Sequence, residues 1–557
     1  MALTTPPPGF RGIFRDDLDA RAVYSEAAGI ARIVPRGVAV PADADDVGAL
    51  VRWASATRTP LVPRGSGSSM AGGAIGDGMI VDLSRLDAIE RVDVGRRTIR
   101  CGPGAVRDAV NGAARAAGLQ FPVDPSSGAF CSVGGMASTN AAGAHTLRYG
   151  SMRRWVLALD CVFADGTRGE VRRGAPPPAL DLVQRALREL EPVLAAERVS
   201  PSRHPGVRKE SSGYGLADFA ESGELVDLLC GSEGTLALIV GLELRLAPQQ
   251  PFTASLLGAF ETLEAAVVGA DGARRAGAVA CEALDRTFLD VARRGGEAVP
   301  VPESAETALL AEVEANTPEE ADVLARQIEV EFRAAGATSV TLALEPETEH
   351  ALWKLRHAAN PILNRLDPAL KPMQLIEDGC VPPDRFSDYV RGVRAALDRQ
   401  GIRGVIFGHA GDANVHVDPM IDVRVPDWKA RVAALMDEVT ALTARLGGTM
   451  SGEHGDGRLR APLLPRLWPA DTLERFAAVK HAFDPEAILN PGAKVALAGA
   501  QPIGDVKYDP SLPALPEPAR AALSFVQRER AYARSRLALL DEPTLDEAAL
   551  DGRVSDV

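Results

Sequence analysis

The sequence predicts an α+β fold divided between two or three domains. The chain has 557 residues, which is more than one typical domain contains. Strand-like and helix-like segments alternate along it, and many of the strands are short. Four connections rich in glycine and serine lie at 65–73, 132–152, 210–219 and 230–248. These connections indicate a region in which the backbone approaches another group closely.

The first predicted unit is a strand, a helix and a second strand over residues 38–61. Asp43 or Asp45 is the expected N-cap, because each precedes apolar residues at helical spacing. Short strands follow at "MIVDLS" and "RTIRCGPG", and a helix is predicted over 105–117. The segment "VLALDCVFADGT" predicts a strand that ends in an Asp-Gly turn.

The second half of the chain differs from the first in its content of glycine-rich connections. The sequence Pro-Gln-Gln-Pro at 248–251 is the predicted boundary. Residues 252–440 alternate between strand-like and helix-like segments without such connections, and Gly-rich sequence returns at 447–457. The tail from about residue 500 is Pro-rich, then helical and charged over 519–540, then acidic. We expect this tail to be a peripheral helix with a frayed end.

Composition and charge exclude several classes of function. With 61 basic and 75 acidic residues the formal net charge is −14, so a nucleic-acid surface is not expected. No segment reaches the roughly 18 apolar residues of a membrane helix, so no transmembrane segment is expected. The first ten residues lack the apolar core of a signal peptide. A cytoplasmic location is predicted, with peripheral attachment to the inner membrane left open.

The cysteines argue against an iron–sulfur cluster or a zinc knuckle within the chain. Six cysteines are scattered along the sequence, and no two of them form a C-x-x-C pair. We therefore expect reduced and mostly buried thiols.

The first glycine-rich loop predicts a cradle for a pyrophosphate. It runs from Arg64 to Ser69 and follows a strand. Glycine allows consecutive backbone N–H groups to point into one concavity, and the serines add donors. It is neither a Rossmann fingerprint nor a P-loop. Taken alone it could equally be a flexible turn, but four such loops together favour a long cofactor wrapped by several backbone segments.

The loop motifs resemble a known family of flavin domains. The segments "PLVPRGSGSSMAGG", "DPSSGAFCSVGGMASTNAAGAHTLRYG", "KESSGYGLADF" and "GSEGTLALIVGLELRLAP" resemble, in this order, the FAD-binding domain of the vanillyl-alcohol-oxidase superfamily. The resemblance implies a two-lobed FAD domain. Covalent attachment at His145 or Cys131 is an alternative, and non-covalent FAD is the prediction. The cofactor-binding residues that it implies are Arg64, Gly65, Ser66, Gly67, Ser68, Ser69, Asp124, Ser126, Ser127, Gly134, Gly135, Asn140, Gly143, Ser151, Glu233, Gly234, Ile239 and Asn490.

The segment "GHAGDANVHV" predicts a hairpin that carries two histidines. His409 and His416 lie symmetrically about Asp412-Ala413, so a hairpin centred there would set them directly opposite each other. Directly opposed side chains share a face, with Cβ atoms about 5 Å apart. The two imidazoles could then bind one metal ion. Asp412 and Asn414 are interpreted as turn formers.

A third ligand is predicted in "GGTMSGEHGDGRLR". Adjacent residues in an extended segment point to opposite sides, so Glu453 could bind the metal while His454 faces a substrate. Two histidines and a glutamate suit Zn²⁺, Mn²⁺ or Fe²⁺, and Zn²⁺ is the first choice. The alternative is that these histidines are hydrogen-bonded core residues.

The same segments and "FDPEAILNPGAKV" resemble the C-terminal domain of FAD-linked oxidases, including D-lactate, glycolate and D-2-hydroxyglutarate dehydrogenases. The resemblance implies metal binding by His409, His416 and Glu453, and a base at His454. It also assigns the substrate carboxylate to Arg356, in "LWKLRHAANP". Some relatives carry a lysine where this chain has Ile376 and Glu377, and this departure argues against recognition of a dicarboxylate.

Together the two resemblances imply five segments. These are an N-terminal extension (1–34), the FAD-binding domain (35–248), a substrate or cap domain with the metal hairpin (249–445), a segment that returns to the flavin (446–500) and a peripheral helical tail (501–557).

The function predicted from the sequence is oxidation of a small 2-hydroxy acid, of the D-lactate or glycolate type, by hydride transfer to flavin N5 beside a divalent metal. A separate electron acceptor is expected: a quinone, a cytochrome, an electron-transfer flavoprotein or an Fe–S subunit. The alternatives are a non-catalytic flavin subunit that relays electrons, an alcohol or aldonolactone oxidase, and a flavin transferase resembling alkylglycerone-phosphate synthase.

Overall fold

The computed structural model describes residues 5–357 and 369–541. Its first part, up to residue 248, contains two four-stranded sheets flanked by helices. The strands are β1 (Ile13–Arg15), β2 (Gly37–Val40), β3 (Leu61–Arg64), β4 (Met79–Asp82), β5 (Thr98–Cys101), β6 (Leu119–Gln120), β7 (Val156–Val162), β8 (Arg168–Arg172), β9 (Leu238–Arg245) and β10 (Ala247–Pro248). The helices are α1 (Leu18–Val23), α2 (Ala44–Thr57), α3 (Arg107–Ala116), α4 (Val133–Thr139), α5 (Thr146–Tyr149), α6 (Asp181–Glu189), α7 (Glu191–Val199), α8 (Leu216–Ser222) and α9 (Leu225–Leu229).

The first sheet has the order β1-β2-β4-β3, with β4 parallel to both β2 and β3. The predicted unit of strand, helix and strand is confirmed here as β2, α2 and β3. Asp43 is the N-cap of α2, and its carboxylate accepts hydrogen bonds from the backbone N–H groups of Asp45 and Asp46. Strand β3 leads directly into the loop that begins at Gly65.

The second sheet has the order β5-β9-β7-β8 and is antiparallel throughout. Strands β6 and β10 form a separate antiparallel pair. Apolar side chains from both four-stranded sheets and from helices α2, α3, α6 and α9 share one core. The glycine-rich loops therefore start from well-packed elements, which fixes their positions.

In the second part, the described residues form an eight-stranded antiparallel sheet. Its strands run in the order β14-β11-β13-β12-β17-β18-β15, and β16 also pairs with β18. Their bounds are β11 (Phe252–Phe260), β12 (Ala280–Asp285), β13 (Thr307–Ala315), β14 (Ser339–Ala343), β15 (Leu370–Pro372), β16 (Gly379–Cys380), β17 (Arg403–His409) and β18 (Asn414–Asp422). The helices are α10 (Leu263–Arg275), α11 (Arg286–Arg294), α12 (Pro318–Ala334), α13 (Pro346–His357), α14 (Phe386–Arg399) and α15 (Trp428–Arg445).

The chain then returns to the first part. It forms α16 (Gly457–Arg460), α17 (Ala470–Phe483), α18 (Glu517–Arg528) and α19 (Arg536–Asp541). Leu489 forms a parallel bridge with Leu61 of β3, and the backbone N–H of Leu61 donates to the Ile488 carbonyl at 2.7 Å. This contact holds the C-terminal segment against the strand that precedes the first glycine-rich loop.

The tail after residue 500 differs from the expected peripheral helix. It contains two helices, α18 and α19, separated at 529–535, and apolar residues of both pack on α1 and on one face of the first sheet. The predicted helix over 519–540 is therefore broken, and its two parts belong to a core. The acidic end at 542–557 lies outside the described residues.

All six cysteines are unpaired and buried, as predicted. No helix in the described part of the chain combines the length and the apolar character that a membrane span requires.

Candidate active site

A cavity of about 860 Å³ lies between the glycine-rich loops of the first part and the eight-stranded sheet of the second. Most of the residues that the sequence predicts for cofactor, metal and substrate share its wall. These are Arg64, Gly65, Ser66, Gly67, Ser68, Ser69, Asp124, Ser126, Ser127, Gly134, Gly135, Gly143, Glu233, Gly234, Ile239, Arg356, His409, His416, Glu453 and His454. The structure thus brings together loops that lie far apart in the sequence.

The first loop is packed too tightly for side chains at its glycines. A Cβ atom on Gly65 would lie 2.0 Å from the Oγ of Ser132, which belongs to the second loop. Gly67 has φ +74°, and a Cβ there would lie 2.4 Å from Arg64 Nη2. A Cβ on Gly143 would meet the Asp124 carbonyl oxygen at 2.3 Å. These loops form a backbone-lined cradle, which fits the diphosphate of a dinucleotide cofactor.

Three predicted cofactor residues lie outside the wall of this cavity. Asn140 and Ser151 line a second cavity of about 640 Å³. The Asn140 side chain accepts a hydrogen bond from the backbone N–H of Arg153 at 2.9 Å. Asn490 donates to the carbonyls of Glu233 at 2.7 Å and Gly73 at 3.0 Å. Asn140 and Asn490 thus fasten loops of the cradle from behind.

The predicted register of the histidine hairpin is wrong. His409 pairs with Asn414, and His416 pairs with Phe407, so the loop contains residues 410–413 and the hairpin is not centred on Asp412-Ala413. The two histidines are diagonal neighbours on one face of the sheet. Ala413 adopts φ +56°, which allows this four-residue loop to close. The face of the sheet was correctly predicted, although the pairing was not.

The two imidazoles and the Glu453 carboxylate converge on one point. His409 Nε2 lies 3.3 Å from His416 Nε2 and 3.2 Å from Glu453 Oε1, and His416 Nε2 lies 3.3 Å from the same oxygen. All three residues are less than 10% exposed. His416 Nδ1 donates to the Glu377 carbonyl at 2.6 Å, so in the neutral ring the Nε2 lone pair is available to a metal. The donor set and its spacing fit a divalent cation.

Glu282 of β12 connects this cluster to Arg356. Its Oε1 lies 2.6 Å from His409 Nδ1, and its Oε2 accepts from Arg356 Nε at 2.8 Å. Burial alone would raise the pKa of Glu282, but the charges of His409 and Arg356 lower it to about 2. Burial also opposes the charge of His409, whereas Glu282 raises the pKa of that imidazole to about 9. Glu282 is therefore an anion that fixes both neighbours.

Lys209 of the third loop holds the other side of the Glu453 carboxylate. Its Nζ lies 2.9 Å from Glu453 Oε2 and 3.9 Å from an Asp412 oxygen, and its side chain is 2% exposed. Burial disfavours this ammonium, but the charges of Glu453 and Asp412 raise its pKa above the ordinary value. Because Lys209 occupies Oε2, Glu453 presents Oε1 to the two histidines.

His454 does not point away from Glu453, so the prediction of opposite sides is wrong. Its Nε2 lies 3.7 Å from Glu453 Oε1, and its ring stacks on that of His416. The loop turns here because Asp378 accepts hydrogen bonds from both backbone N–H groups, of Glu453 and of His454. Burial lowers the pKa of His454, but the Asp378 and Glu377 carboxylates raise it to about 9.

Arg356 lies on α13 with its guanidinium over the Phe407 ring, at 4.6 Å from the centroid. The cavity wall beside it also includes Gln374 and Asp418. Burial and the charge of Glu377 raise the pKa of Asp418 to about 7. Residues 358–361, the end of the motif that pointed to Arg356, lie outside the described residues.

The position at which some relatives carry a lysine is occupied by a buried anion. Glu377 forms an ion pair with the fully buried Arg460, and Ile376 is buried. Arg460 Nη1 also lies 3.2 Å from Asp378. Glu377 and Asp378 are thus paired with Arg460 inside the protein, and residues 376–377 supply no cation to a substrate.

Sequence analysis did not identify Lys209, Glu282 and Asp378 as site residues. Lys209 opens the quoted third motif, so its position was visible although its role was not. Glu282 stands between apolar neighbours in the buried strand β12, which is a signal that could have been used. Asp378 acts through its acceptance of backbone N–H groups, and no local pattern indicates such a contact.

Two known families match this chain, one in each of the two parts described above. Residues 35–172 match the family described as FAD binding domain. Residues 249–493 match the family described as FAD linked oxidases, C-terminal domain. His409, His416 and Glu453, which we call the metal-type cluster, lie within the second match, as does Arg356. The first two glycine-rich loops lie within the first match.

Several characterised proteins are similar over most of this chain. D-lactate dehydrogenase of Archaeoglobus fulgidus is 30% identical over 464 residues, covering 82% of this chain and 91% of the relative. Glycolate oxidase subunit GlcD of Bacillus subtilis is 29% identical, covering 86% and 93%. D-2-hydroxyglutarate dehydrogenase of Pseudomonas putida is 31% identical and covers 87% of this chain, but this chain spans only 50% of that protein.

Solved structures of lower identity share the fold. A 4-ethylphenol oxidase from Gulosibacter chungangensis is 16% identical with a TM-score of 0.62, covering 86% of this chain and 94% of that one. An alkyldihydroxyacetonephosphate synthase is also 16% identical, with a TM-score of 0.60 and coverage of 86% and 83%. The predicted vanillyl-alcohol-oxidase type of FAD-binding fold is therefore confirmed.

Proposed function

Since this chain belongs to the FAD-linked oxidases that act on 2-hydroxy acids, we propose that it oxidises a small 2-hydroxy acid of the D-lactate or glycolate type to the 2-oxo acid. The observation that carries the proposal is the convergence of His409, His416 and Glu453 in the cavity that the glycine-rich loops also line. Bound FAD supplies the acceptor for the hydride that leaves the substrate carbon.

His409, His416 and Glu453 would hold a divalent cation, for which Zn²⁺ is the first choice. The support is the spacing of 3.2–3.3 Å between the three donor atoms and the outer contacts at each ligand. When bound, such an ion lowers the pKa of a coordinated hydroxyl and orients the substrate. Because the flavin performs the redox step, a cation without redox chemistry is sufficient.

Two residues of this chain would act on the substrate directly. Arg356 would bind the carboxylate, since its guanidinium lines the cavity and is oriented by its ion pair with Glu282. His454 would take the hydroxyl proton, which requires the neutral imidazole. A divalent cation next to this ring would repel its proton and bring the pKa down from the value of about 9 that its carboxylate neighbours set.

The charges around the cluster support a substrate with one carboxylate. Arg356 is paired with Glu282, and His145 lies between Asp124 and Glu312. Glu377 and Asp418 add acidic groups to the wall. A second substrate carboxylate beside these groups would therefore face further acidic side chains.

The reduced flavin must pass its electrons on, and we propose a separate acceptor: a quinone, a cytochrome, an electron-transfer flavoprotein or an Fe–S subunit. In the rival role of a pure electron relay, the chain would have no use for a metal-type cluster beside the cofactor cradle. Peroxide formation in air would instead indicate an oxidase.

The test is anaerobic mixing of the FAD-loaded protein with D-lactate, L-lactate, glycolate and D-2-hydroxyglutarate, with and without a chelator. We expect the flavin absorbance to bleach with at least one short acid, and the chelator to slow the bleaching. His409→Ala should lose the stoichiometric metal and bleach slowly, whereas His481→Ala, an exposed histidine on α17, should do neither. If none of the four acids bleached the flavin of the metal-loaded protein, the proposal would be contradicted.

A further inference from the structure

The C-terminal tail forms part of the wall of the cofactor cavity. We call residues 527–536 the capping segment; it comprises the end of α18, the connection at 529–535 and the first residue of α19. Its residues Gln527, Arg528, Arg530 and Tyr532 line the same cavity as the first and second glycine-rich loops. The matched family region ends at residue 493, so this segment lies outside that match.

The capping segment is held in place by apolar packing on both sides. Ala519, Ala522 and Val526 of α18 pack with Leu537 and Leu539 of α19 in one cluster. The same cluster contains residues of α1 and of strands β2, β3 and β4. Strand β3 ends at Arg64, so the tail is fastened to the element that positions the cradle.

Arg536 connects the segment to the cradle directly. Its Nη2 donates to the Ser66 carbonyl at 3.1 Å, and its side chain is buried. Its Nη1 donates to the carbonyl of Arg534 at 2.9 Å, and no partner is found for Nε among the described residues. The contact fixes the Ser66 peptide with its oxygen turned toward the tail.

Arg536 also adds positive charge beneath the loop. Burial lowers its pKa, and repulsion from the neighbouring Arg64 lowers it further, to about 10. Arg64 is itself buried, and its Nη2 donates to the Glu26 carbonyl at 2.9 Å. The buried Asp82 carboxylate is a counter-charge to both guanidinium groups. Two cations against one carboxylate leave excess positive charge beside the glycine loop, which favours an anion there.

An aromatic contact completes the wall. The rings of Phe130 and Tyr532 lie 5.2 Å apart, and the Arg530 guanidinium lies 5.0 Å from the centroid of the Phe130 ring. Arg530 has φ +52°, an unfavourable conformation for a residue other than glycine. Such a conformation persists where surrounding contacts determine it, and it often marks a functional position.

We propose that the capping segment is part of the cofactor site: Arg530 and Tyr532 close the cavity over the cradle, Arg536 holds the first loop through Ser66, and together they retain the diphosphate-bearing ADP half of FAD. The inference rests on the proposed function, because it takes FAD as the ligand. Arg530 and Tyr532 supply the wall, and Arg536 is a positioning residue that acts through Ser66. The tail would thus control how long the cofactor stays bound.

The test measures FAD release from the holoprotein by the rise in flavin fluorescence after dilution. Arg530→Ala and Tyr532→Ala should each release FAD about 10-fold faster, the loss expected for a contact to a charged or aromatic group. Arg520→Ala, an exposed arginine on α18, is the matched control and should release FAD at the rate of the unchanged protein. Thermal unfolding of the apoproteins checks that all variants fold.

Limited trypsin digestion gives a second readout that does not depend on activity. Cleavage after Arg528, Arg530 and Arg534 should be at least several-fold slower with FAD than without it, because the bound cofactor holds the segment closed. Equal digestion of apo- and holoprotein, together with unchanged FAD release, would overturn the inference. FAD retention that depends on the tail, but without reduction by any hydroxy acid, would instead overturn the proposed function alone.

Discussion

Glu282 is a buried anion that contacts both the metal-type cluster and Arg356. One of its oxygens contacts His409 and the other accepts from Arg356, and its side chain is 1% exposed. A buried carboxylate that contacts both the imidazole and the guanidinium holds the two groups in fixed orientations. Any change at this position should affect metal binding and substrate binding together.

Glu282→Gln tests this coupling. The amide is nearly isosteric with the carboxylate, but it removes the charge, so we expect metal affinity to fall about 10- to 100-fold, the usual range for a partner of a metal ligand. KM for the hydroxy acid should rise in the same variant. Titration of the apoprotein with Zn²⁺ measures the first effect, and steady-state kinetics the second. Glu347→Gln, on the exposed face of α13, is the control; unchanged metal affinity in Glu282→Gln would contradict the coupling.

At the scale of elements, the hairpin of β17 and β18 determines the geometry of the cluster. Its four-residue loop requires Ala413 to adopt φ +56° while the residue is completely buried. A left-handed conformation costs an alanine roughly 1–2 kcal/mol. The hairpin therefore tolerates at this position only a side chain that is small.

Ala413→Gly and Ala413→Val form a matched pair of variants. Glycine relieves the left-handed strain but enlarges the entropy of the unfolded chain, so its melting temperature should stay within about 2 °C of the unchanged protein. Valine is branched at Cβ and lacks space here, so it should cost at least roughly 2 kcal/mol and weaken metal binding. Differential scanning calorimetry measures the stabilities, and equal melting temperatures for the two variants would contradict the argument.

A second element-scale contact joins the third glycine-rich region to the C-terminal part. His204 forms an ion pair with Glu210, and its Nε2 contacts the Leu467 carbonyl at 3.1 Å. Burial lowers the pKa of His204, but the hydrogen bond and charge of Glu210 raise it above the ordinary value of 6.5. The folded protein therefore binds this proton more tightly than the unfolded chain does.

The sign of the pH dependence follows from this difference. The stabilisation from protonated His204 is fully present below pH 6.5, the unfolded pKa, and is lost as pH rises through the higher folded pKa. His204→Gln should therefore lower the free energy of unfolding more at pH 6 than at pH 9.5. Urea denaturation at both pH values measures it. A loss that is equal at both, or larger at the alkaline value, would contradict the assignment.

Local features of these elements were predictable, and contacts between distant segments were not. The Asp43 cap and the glycine-rich loops depend on a few adjacent residues, so the sequence indicates them. The hairpin register depends on the conformation of Ala413, which no apolar pattern encodes. Lys209 and Glu282 reach the cluster from segments far from Glu453 along the chain, so only the tertiary fold brings them there.

At the scale of the whole molecule, His145 connects the first part to the eight-stranded sheet. It lies between Asp124, near the second loop, and Glu312 of β13, at 2.7 Å from the latter. Burial lowers the pKa of His145, but the charge of Asp124 and the contacts with both carboxylates raise it well above the ordinary value. A protonated imidazole here neutralises two acidic groups across the cavity.

His145→Ala should therefore weaken the contact between the two parts. Two facing carboxylates would lose the cation between them, at a cost of about 2 kcal/mol after allowance for their partial exposure. We expect calorimetry to show a lower melting temperature and a broader or divided transition, and FAD to restore part of the loss by mass action. His481→Ala serves as the control, and a single transition at the unchanged temperature would contradict this role.

The buried thiol of Cys380 allows the opening of the hairpin to be measured. Cys380 pairs with Asn414 through β16 and β18, its Sγ contacts the Asp412 carbonyl at 3.4 Å, and burial raises the pKa of the thiol. A thiol reagent in solution can modify this sulfur only after the strands beside the histidines separate. The labelling rate of Cys380 therefore reports how often the cluster opens spontaneously. This rate would fall in proportion to metal occupancy, and its measurement requires no catalytic assay.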